Sequence, residues 1–491
     1  MRFEHAVFRI ARNRFFTMDS LELPGSGCVA FVGANGSGRT SLARSLCGEL
    51  ELCEGRAELC PAGDIVRISF EEQVRLMEED FRLRNTDMAS PEEMRGLTPR
   101  LLLGEAAAQC PDLCRRLGVE PLLDRPFHVL SSGEGRRILI ARALLTGKRV
   151  LVMDAPFDGL DECSRQELMA LFGEISAGGR LVLLVVNRYA EIPAFASHAG
   201  ILSECRVIKF GRCEDLAGDL DFLQLENTET VTGQDIPPAP ADAPALAFDG
   251  PLAVLRDVVV TYDGRNVIDH LTMTVNQGEN WQIRGPNGAG KSTLLALITG
   301  DQPQGYANDI TLFGIRRGSG ESVWDIKKRI GFVSPAFHLS YRVNCSVRNV
   351  VISGFYDSVG LYERPGDEKS LLADRWLEVA GLRPAADLPF RSLSFGQQRI
   401  VLILRALVKH PPVLILDEPM QGLDPVSRLL VRNFAECLMR SGTTQLMFVS
   451  HHREDAPRGI TNILDFVPCE GTYEYRFTTV DPAAKEAGET R

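Results

Sequence analysis

The chain has 491 residues, of which 44% are hydrophobic and 24% are charged, and its net charge is −11 at pH 7. This length predicts two domains of roughly 200–250 residues each, and the composition is that of a soluble globular protein. An acidic chain without a basic stripe makes nucleic acid an unexpected main partner, because phosphate binding requires clustered Lys and Arg.

Membrane-spanning and secreted proteins are also disfavoured. The longest apolar runs, such as LVLLVV at 181–186, have the length of a buried strand and fall short of the ~20 residues of a membrane span. The first residues, MRFEHAVFRIARNRF, carry charges throughout, so we expect no secretory signal. The 12 cysteines are scattered without metal-binding spacing, which favours reduced thiols in a cytoplasmic protein.

In the first half, an apolar run leads into a glycine-rich loop. CVAFVG predicts a buried strand, GANGSGRTSL at 33–42 is the loop, and TSLARSLCGEL has the pattern of an amphipathic helix. Further on, LSSGEGRR begins at Leu130, and VLVMDAPFDGLD begins at Val150. Continuous apolar runs such as VLVMD predict central strands of a parallel sheet covered on both faces.

The second half repeats these blocks in the same order. NWQIRG leads into GPNGAGKSTL at 285–294, LSFGQQR begins at Leu393, and VLILDEPMQGLD begins at Val413. Between the halves, residues 226–250 are acidic and rich in Pro and Ala, which predicts an extended linker.

The spacing between two of these blocks is the same in both halves. Ser131 precedes Asp154 by as many residues as Ser394 precedes Asp417. We therefore interpret the chain as a duplicated domain, with domains at 1–225 and 251–491 on either side of the linker at 226–250.

The loop at 285–294 fits the phosphate-binding pattern G-x-x-x-x-G-K-[ST], and the loop at 33–42 nearly does. Glycines let backbone N–H groups point at phosphate oxygens, the lysine neutralises phosphate charge, and the hydroxyl is suited to Mg²⁺. Lys291 supplies the ammonium in the second copy, whereas Arg39 stands at that position in the first. A guanidinium keeps the charge but is larger and planar.

Together, the loop, the LSGGQ-like signature, the aspartate strand, the GLD turn and a late histidine resemble the ATP-binding cassette (ABC) family. The resemblance implies an α/β fold of two tandem ABC nucleotide-binding domains. Each would have a P-loop NTPase core, an antiparallel β subdomain and a helical signature subdomain. It also implies an ATPase that uses ATP and Mg²⁺.

In the second half, the resemblance assigns a role to each matching residue. Ser292 and Asp417 would hold Mg²⁺, Glu418 would polarise the attacking water, and His451 would contact the γ-phosphate, whereas His452 is expected to be solvated. Tyr262 would stack on adenine, with a core tyrosine as the alternative. The ATP-binding residues would be Tyr262, Gly285, Asn287, Gly288, Gly290, Lys291, Ser292 and Thr293.

The second half also departs from the family at one point. After IGFV the family has a glutamine, and here Pro335 stands near that position. Either Ser334 or a water molecule would take its place, and the sequence leaves both open.

In the first half, three positions differ from the family pattern. Arg39 replaces the lysine, Ala155 replaces the catalytic glutamate, and Asn187 replaces the histidine. These changes affect three separate roles, so we expect this copy to have lost hydrolysis, while ATP binding stays open. The candidate binding residues are Gly33, Asn35, Gly36, Gly38, Arg39, Thr40 and Ser41, with Thr40 and Asp154 as the metal pair.

Two more positions in the first half have only candidates. Gln73, with Glu72 as the alternative one place away, would be the glutamine that touches Mg²⁺ and water. Phe8 is a weak candidate for the aromatic residue that stacks on adenine.

In this family two cassettes pair head to tail, so the signature of one closes over the P-loop of the other. Ser131 and Gly133 would therefore complete the site of Lys291. Ser394, Gly396 and Gln397 would close over the site of Arg39.

Nearly the whole chain resembles one subgroup of the family, tandem cassettes associated with molybdate transport. That resemblance implies a membrane permease of molybdate type as partner and a cytoplasmic or peripheral location at the inner face of the plasma membrane. A tandem cassette that acts on ribosomes is the alternative, disfavoured by the short linker and the altered first site. A DNA-damage ATPase is disfavoured further by the acidic charge.

Overall fold

The computed structural model describes the chain except for several short stretches. These are residues 12–13, 34–36, 85–95, 131, 159, 161, 188, 217–235, 245, 247, 263, 424, 443, 451–454, 470–471 and 481–491. The chain divides into two units, one built on Met1–Asn227 and the other on Thr228–Gln421 and Ser427–Arg491.

The first unit alternates strands and helices along its sequence. Its strands are β1 (Arg2–Ala11), β2 (Arg14–Glu22), β3 (Gly27–Gly33), β4 (Glu51–Glu58), β5 (Ile65–Ile68), β6 (Val150–Asp154), β7 (Leu181–Val186), β8 (His198–Ser203) and β9 (Arg206–Arg212). Its helices are α1 (Arg39–Leu46), α2 (Phe70–Arg84), α3 (Pro99–Leu103), α4 (Glu105–Gln109), α5 (Pro111–Arg116), α6 (Ser132–Leu145), α7 (Glu162–Ala177) and α8 (Cys213–Leu216).

One nine-stranded sheet runs through this unit in the order β4-β1-β2-β9-β8-β3-β7-β6-β5. The strands from β8 through β3, β7 and β6 to β5 are parallel neighbours, and β1, β2 and β4 pair antiparallel at the other end. The loop of 33–42 therefore follows a central strand.

Both faces of the central strands are covered, as the continuous apolar runs predicted. In β3, Cys28, Ala30 and Val32 pack into one core cluster, whereas Val29 and Phe31 pack into the cluster on the opposite face. Alternate residues of a strand point to opposite faces, so an unbroken apolar run is what a sheet between two layers requires.

The second unit has its own strands and helices. The strands are β10 (Ala253–Tyr262), β11 (Arg265–Val275), β12 (Trp281–Arg284), β13 (Asp309–Leu312), β14 (Ile315–Arg316), β15 (Ile330–Val333), β16 (Val413–Asp417), β17 (Gln445–Val449), β18 (Asn462–Cys469) and β19 (Thr472–Thr479). The helices are α9 (Lys291–Thr299), α10 (Val323–Lys327), α11 (Pro335–Ser340), α12 (Val347–Ser353), α13 (Asp367–Val379), α14 (Phe395–Leu407) and α15 (Pro425–Arg440).

Here the strands form two sheets. A four-stranded antiparallel sheet has the order β11-β10-β13-β14, and a six-stranded sheet has the order β15-β16-β17-β12-β18-β19. The strands from β15 to β18 are parallel, and β19 is antiparallel at the edge. The α/β class, the antiparallel part and the helices around the signature are confirmed.

Part of the predicted linker packs on the second unit. Phe248 contacts Phe313 edge-on, with ring centroids 6.3 Å apart, and Gln277 donates its side-chain N–H to the carbonyls of Phe248 and Gly250. Asp242 pairs with Lys369 at 3.0 Å. These contacts anchor the end of the segment that leads into β10.

Candidate functional site

The P-loop of the second unit lies between β12 and α9, and its glycines are required by geometry. Gly285, Gly288 and Gly290 have φ of 149°, 78° and 96°, which side-chain-bearing residues rarely adopt. A Cβ on Gly285 would lie 2.7 Å from Phe466 Cβ, and one on Gly290 would lie 2.6 Å from the carbonyl oxygen of Val267. The loop can therefore follow this path only with glycine at Gly285 and Gly290, whereas at Gly288 the positive φ alone favours glycine.

Lys291 is the first residue of α9, and its ammonium lies within the loop. Its Nζ donates to the carbonyl oxygens of Gly285 and Pro286, both at 2.8 Å. The N-cap of α9, Gly290, provides no side-chain cap, so the first N–H groups of the helix are suited to an anion. Asn287 in the loop and Thr293 in the first turn are partly buried. A buried ammonium and a helix N-terminus fit a polyphosphate.

Asp417 ends the buried strand β16 and faces the start of α9. Ser292 Oγ donates to its Oδ2 at 3.2 Å. Burial, followed by the neighbouring Glu418, raises the pKa of Asp417 to about 6, against the opposing effects of Lys291, Ser292 and Arg399. A hydroxyl and a carboxylate side by side form the oxygen donor set that Mg²⁺ prefers, so the predicted pair fits this ion.

Glu418 follows in a left-handed conformation with a φ of 45°. Its N–H donates to the carbonyl of Val449 at 3.0 Å, and its carbonyl accepts from Arg399 Nη2 at 2.7 Å. Its backbone is therefore held on both sides, next to Asp417.

Arg399 is a residue that the sequence reasoning missed. It lies on α14, it is fully buried, and its Nη1 donates to the carbonyl of Ser334 at 3.0 Å. Burial lowers its pKa to about 10, whereas Asp417 and Glu418 raise it. The signal was present in the sequence, because a charged residue in the apolar helix run RIVLILRAL needs a buried partner.

The segment after IGFV contacts the signature helix. Ser334 caps α11, accepting from the N–H of Phe337 at 3.0 Å, so both its hydroxyl and its carbonyl have structural partners. His338 is buried, stacks on Phe395 with ring centroids 4.2 Å apart, and bonds through Nε2 to Gln398 Oε1 at 3.1 Å.

The signature residues of the second unit form the start of α14. Ser394 is the N-cap, and it forms a capping box with Gln397. Gly396 is buried, whereas Ser394 is exposed. The N-terminal N–H groups of this helix are thus presented at a solvent-accessible edge.

Tyr262 ends β10, and 47% of its surface is exposed. Its hydroxyl accepts from Gln302 Nε2 at 2.5 Å. The alternative of a core tyrosine is therefore wrong, and the ring is accessible for stacking. Among the other predicted site residues, His451, its neighbour His452, Ser131, Asn35 and Gly36 lie outside the described residues.

In the first unit, the described glycines of the loop also have close neighbours. A Cβ on Gly33 would lie 2.5 Å from Ser37 Oγ, and Gly38 has a φ of 97° with the Phe16 ring 2.8 Å from the place of a Cβ. Thr40 hydrogen-bonds to Asp154, whose pKa is raised by burial and lowered most by Arg39. Ser41 is partly buried in α1, and Gly133 is buried in α6.

Ala155 matches Glu418 in backbone geometry. Its φ is 50°, and its N–H donates to the carbonyl of Val185 at 2.8 Å. A second buried arginine, Arg136 on α6, donates to the carbonyl of Asp154 at 3.4 Å. The first unit therefore retains the frame of the second without the carboxylate.

The two altered polar positions of the first unit contact each other. Arg39 Nη1 donates to Asn187 Oδ1, and it lies 3.5 Å from the carbonyl oxygen of Val186. Asn187 is 2% exposed, and its Nδ2 donates to Asp158 Oδ1 at 2.7 Å.

The two weaker candidates of the first unit occupy structural positions. The adenine-stacking prediction for Phe8 was wrong, because the ring is 1% exposed and packs edge-on against Phe3 in the core. Gln73 is fully buried, with its Nε2 2.6 Å from the place of a Cβ on Gly135 in α6. Glu72 pairs with Arg142 at 3.4 Å.

His338 should make the stability of the second unit depend on pH. Burial, assisted by the charge of Arg399, lowers its pKa from 6.5 to about 3. This depressed pKa contributes stability that is complete above pH ~6.5 and is lost as the pH falls toward ~3, about 2 kcal/mol between pH 6.5 and 5. We expect His338→Phe to remove this dependence.

The measurement is urea unfolding at both pH values, followed by tryptophan fluorescence. All three tryptophans, Trp281, Trp324 and Trp376, lie in the second unit, so the signal reports on that unit. His128→Phe in the first unit is the control. If the free energy of unfolding changed by the same amount between pH 6.5 and 5 in the wild type and in His338→Phe, the prediction would be contradicted.

Comparison with known proteins places the chain in a family. The ABC transporter family matches residues 16–158 and 268–421. The chain is 46% identical over 481 residues to the ABC transporter ATP-binding protein ModF of Escherichia coli (strain K12), covering 96% of this chain and 98% of the relative. It is 27% identical over 477 residues to an uncharacterized ABC transporter ATP-binding protein of Schizosaccharomyces pombe, covering 93% and 96%.

A solved structure shares the fold. It is described as a model of ribosome-bound archaeal Pelota and ABCE1, with a TM-score of 0.65 and 19% identity over 97% of this chain and 78% of the other. Within the described ranges, no helix combines the length and the apolar character that a membrane span needs. The chain belongs to the ABC transporter family of ATP-binding proteins and is an ABC ATPase, an enzyme that hydrolyses ATP.

Proposed function

We propose that ATP is hydrolysed at the P-loop of the second unit and that the first unit contributes no chemistry through its own P-loop. The observation that carries this proposal is the arrangement of Lys291, Asp417 and Glu418 around one loop, compared with Arg39, Asp154 and Ala155 in the same backbone frame. The second unit combines the ammonium of Lys291 with the carboxylate of Glu418, directly after the strand-end aspartate, whereas the first unit has Ala155 at that position.

Each residue of the second unit has a defined task in this proposal. Lys291 and the first N–H groups of α9 bind the β- and γ-phosphates. Ser292 and Asp417 would hold Mg²⁺, which neutralises phosphate charge when it is bound. Glu418 accepts a hydrogen bond from the attacking water and orients it toward the γ-phosphorus.

Two further residues complete the nucleotide site. Tyr262 stacks on adenine, for which its exposure and its position at the end of β10 are suitable. His451 contacts the γ-phosphate; this assignment depends on its place in the sequence after β17. We assign the place of the missing glutamine to a bound water molecule rather than to Ser334, because the hydroxyl of Ser334 already caps α11.

The signature residues follow from the head-to-tail pairing of the family. We assign Ser131 and Gly133 to the site of Lys291, and Ser394, Gly396 and Gln397 to the site of Arg39. This pairing explains why the first half retains a recognisable signature although its own P-loop is altered.

The partner in this proposal is a membrane permease, and the chain acts in the cytoplasm or peripherally at the inner face of the membrane. The relative at 46% identity is named as a transporter ATP-binding protein, which supports such a partner. The molybdate type follows from the sequence resemblance described above. The test is a pull-down with the Glu418→Gln chain and ATP, in which slow hydrolysis retains the ATP-bound state.

Recovery of a permease, identified by mass spectrometry, would support a transporter role. Recovery of ribosomal proteins in ATP but not in ADP would instead support the ribosomal alternative.

Turnover should depend on Lys291 and hardly on Arg39. We expect Lys291→Ala to abolish steady-state phosphate release, whereas Arg39→Ala retains most of it, because only the second unit combines phosphate neutralisation with a placed base. Equal losses in two variants that are both folded by circular dichroism would contradict the assignment of one chemical site.

Arg399 should act as a positioning residue for Glu418. In Arg399→Lys the charge is kept, but an ammonium cannot reproduce the fork that joins the carbonyls of Ser334 and Glu418. We expect kcat to fall at least ~10-fold with little change in KM for ATP, a loss of ~1.4 kcal/mol in the transition state. Arg136→Lys in the first unit is the matched control and should retain turnover.

The signature assignment predicts unequal effects for one substitution made in each half. Ser131→Arg, which places a bulky cation at the phosphate, should abolish hydrolysis, whereas Ser394→Arg should retain much of it. The measurement is the steady-state rate of phosphate release by the two purified variants, compared with that of the wild type. A larger loss in Ser394→Arg would show that the pairing is wrong or that the site of Arg39 controls turnover.

A further inference from the structure

The side chain of Arg39 takes a different direction from that of Lys291, although both begin at the first residue of the helix after the P-loop. Lys291 turns back and donates to two carbonyls of its own loop. Arg39 instead reaches the end of β7, where Nη1 donates to Asn187 and lies 3.5 Å from the carbonyl oxygen of Val186. The guanidinium therefore joins the P-loop helix to the neighbouring strand end.

Strand register identifies this strand end as the place of the γ-phosphate contact. Asp154 pairs with Val185 in the first unit as Asp417 pairs with Val449 in the second. Asn187 thus stands two residues after the paired valine, where His451 stands in the second half. In the function proposed above, the terminal phosphate lies between Lys291 and His451 of the second unit, and in the first unit the two matching groups, Arg39 and Asn187, bond directly.

Asn187 is fixed in its orientation toward Arg39. Its Nδ2 donates to Asp158 at 2.7 Å, and its backbone N–H donates to Glu191 Oε2 at 3.1 Å. Since the amide nitrogen is used by Asp158, the amide oxygen faces Arg39. Displacing the guanidinium would leave the oxygen of a 2% exposed side chain without its donor, which is unfavourable.

The negative charge of Asp158 also favours the guanidinium of Arg39 over a phosphate at this place. Asp158 lies four residues after Asp154, and the matching residue of the second unit, four after Asp417, is the uncharged Gln421. The first unit therefore has its second carboxylate at Asp158, bonded to Asn187, whereas the second unit has it at Glu418, the position of Ala155. A carboxylate there favours the guanidinium and repels a γ-phosphate.

We propose that the guanidinium of Arg39 occupies the place of the terminal phosphate in the first unit, so that this unit takes up no nucleoside triphosphate. The bonds from Arg39 to Asn187 and from Asn187 to Asp158 form a latch that replaces the nucleotide in joining the P-loop helix to β7. The inference builds on the proposed function, in which the second unit holds the hydrolytic site.

The test is the number of ATP molecules bound per full chain, measured by equilibrium dialysis with radiolabelled ATP and Mg²⁺ in the Glu418→Gln background. We expect one ATP per chain, and none after Lys291→Ala is added. Two ATP per chain, or one that persists in the presence of Lys291→Ala, would overturn the latch. In that case the proposed hydrolytic site still stands if Lys291→Ala alone abolishes phosphate release, so the two failures are distinguishable.

A second variant tests the latch itself. Arg39→Lys combined with Asp158→Gln shortens the cation and removes the carboxylate of Asp158. These two positions then have the same residue types as Lys291 and Gln421 of the second unit. We expect the stoichiometry to rise from one toward two ATP per chain. The matched control is the double variant Arg44→Lys and Asp64→Gln in the same unit, which should still bind one ATP per chain. A double variant that remains at one would show that the latch is not what excludes the triphosphate.

Discussion

Parallel pairing between the strand that ends in aspartate and the strand beside it fixes both sites. Asp154 pairs with Val185, and Asp417 pairs with Val449. In each unit the next residue donates its N–H to the carbonyl of that valine. A slip by one residue would turn the aspartate to the opposite face of the sheet and would separate it from the P-loop helix.

This pairing also explains why the first unit retains a strained residue that no longer serves chemistry. Ala155 has a φ of 50°, close to the 45° of Glu418, and an L-residue in this conformation costs about 1–2 kcal/mol. A catalytic role cannot explain this strained conformation, because alanine has no side chain that could serve the reaction. Two backbone contacts can explain it: the N–H of Ala155 donates to the carbonyl of Val185, and the buried Arg136 donates to the carbonyl of Asp154. The first unit has therefore lost a carboxylate while it has kept the turn that would have placed one.

Backbone-determined features could be predicted from the sequence, and side-chain directions could not. Glycine spacing and apolar runs determined the loop and the strands, so Lys291, Ser292 and Asp417 lie together as expected. Phe8 occurs in a strand of alternating pattern, and nothing local distinguishes a core ring from a stacking ring. Arg399 was missed because its partners are the carbonyls of Ser334 and Glu418, and the motifs describe only side chains. The direction of Arg39 depends on Asn187, which lies far along the sequence.

The altered residues of the first unit form one set rather than three separate losses. Asn187 supplies the guanidinium of Arg39 with a side-chain acceptor beyond the loop, and without Asp158 the amide of Asn187 could present either end. Ala155 removes one carboxylate from the strand end, and Asp158 supplies another a few residues later, so the arginine keeps a negative neighbour. In the second unit a bound nucleotide would face Lys291, whereas in the first unit Asn187, oriented by Asp158, faces Arg39.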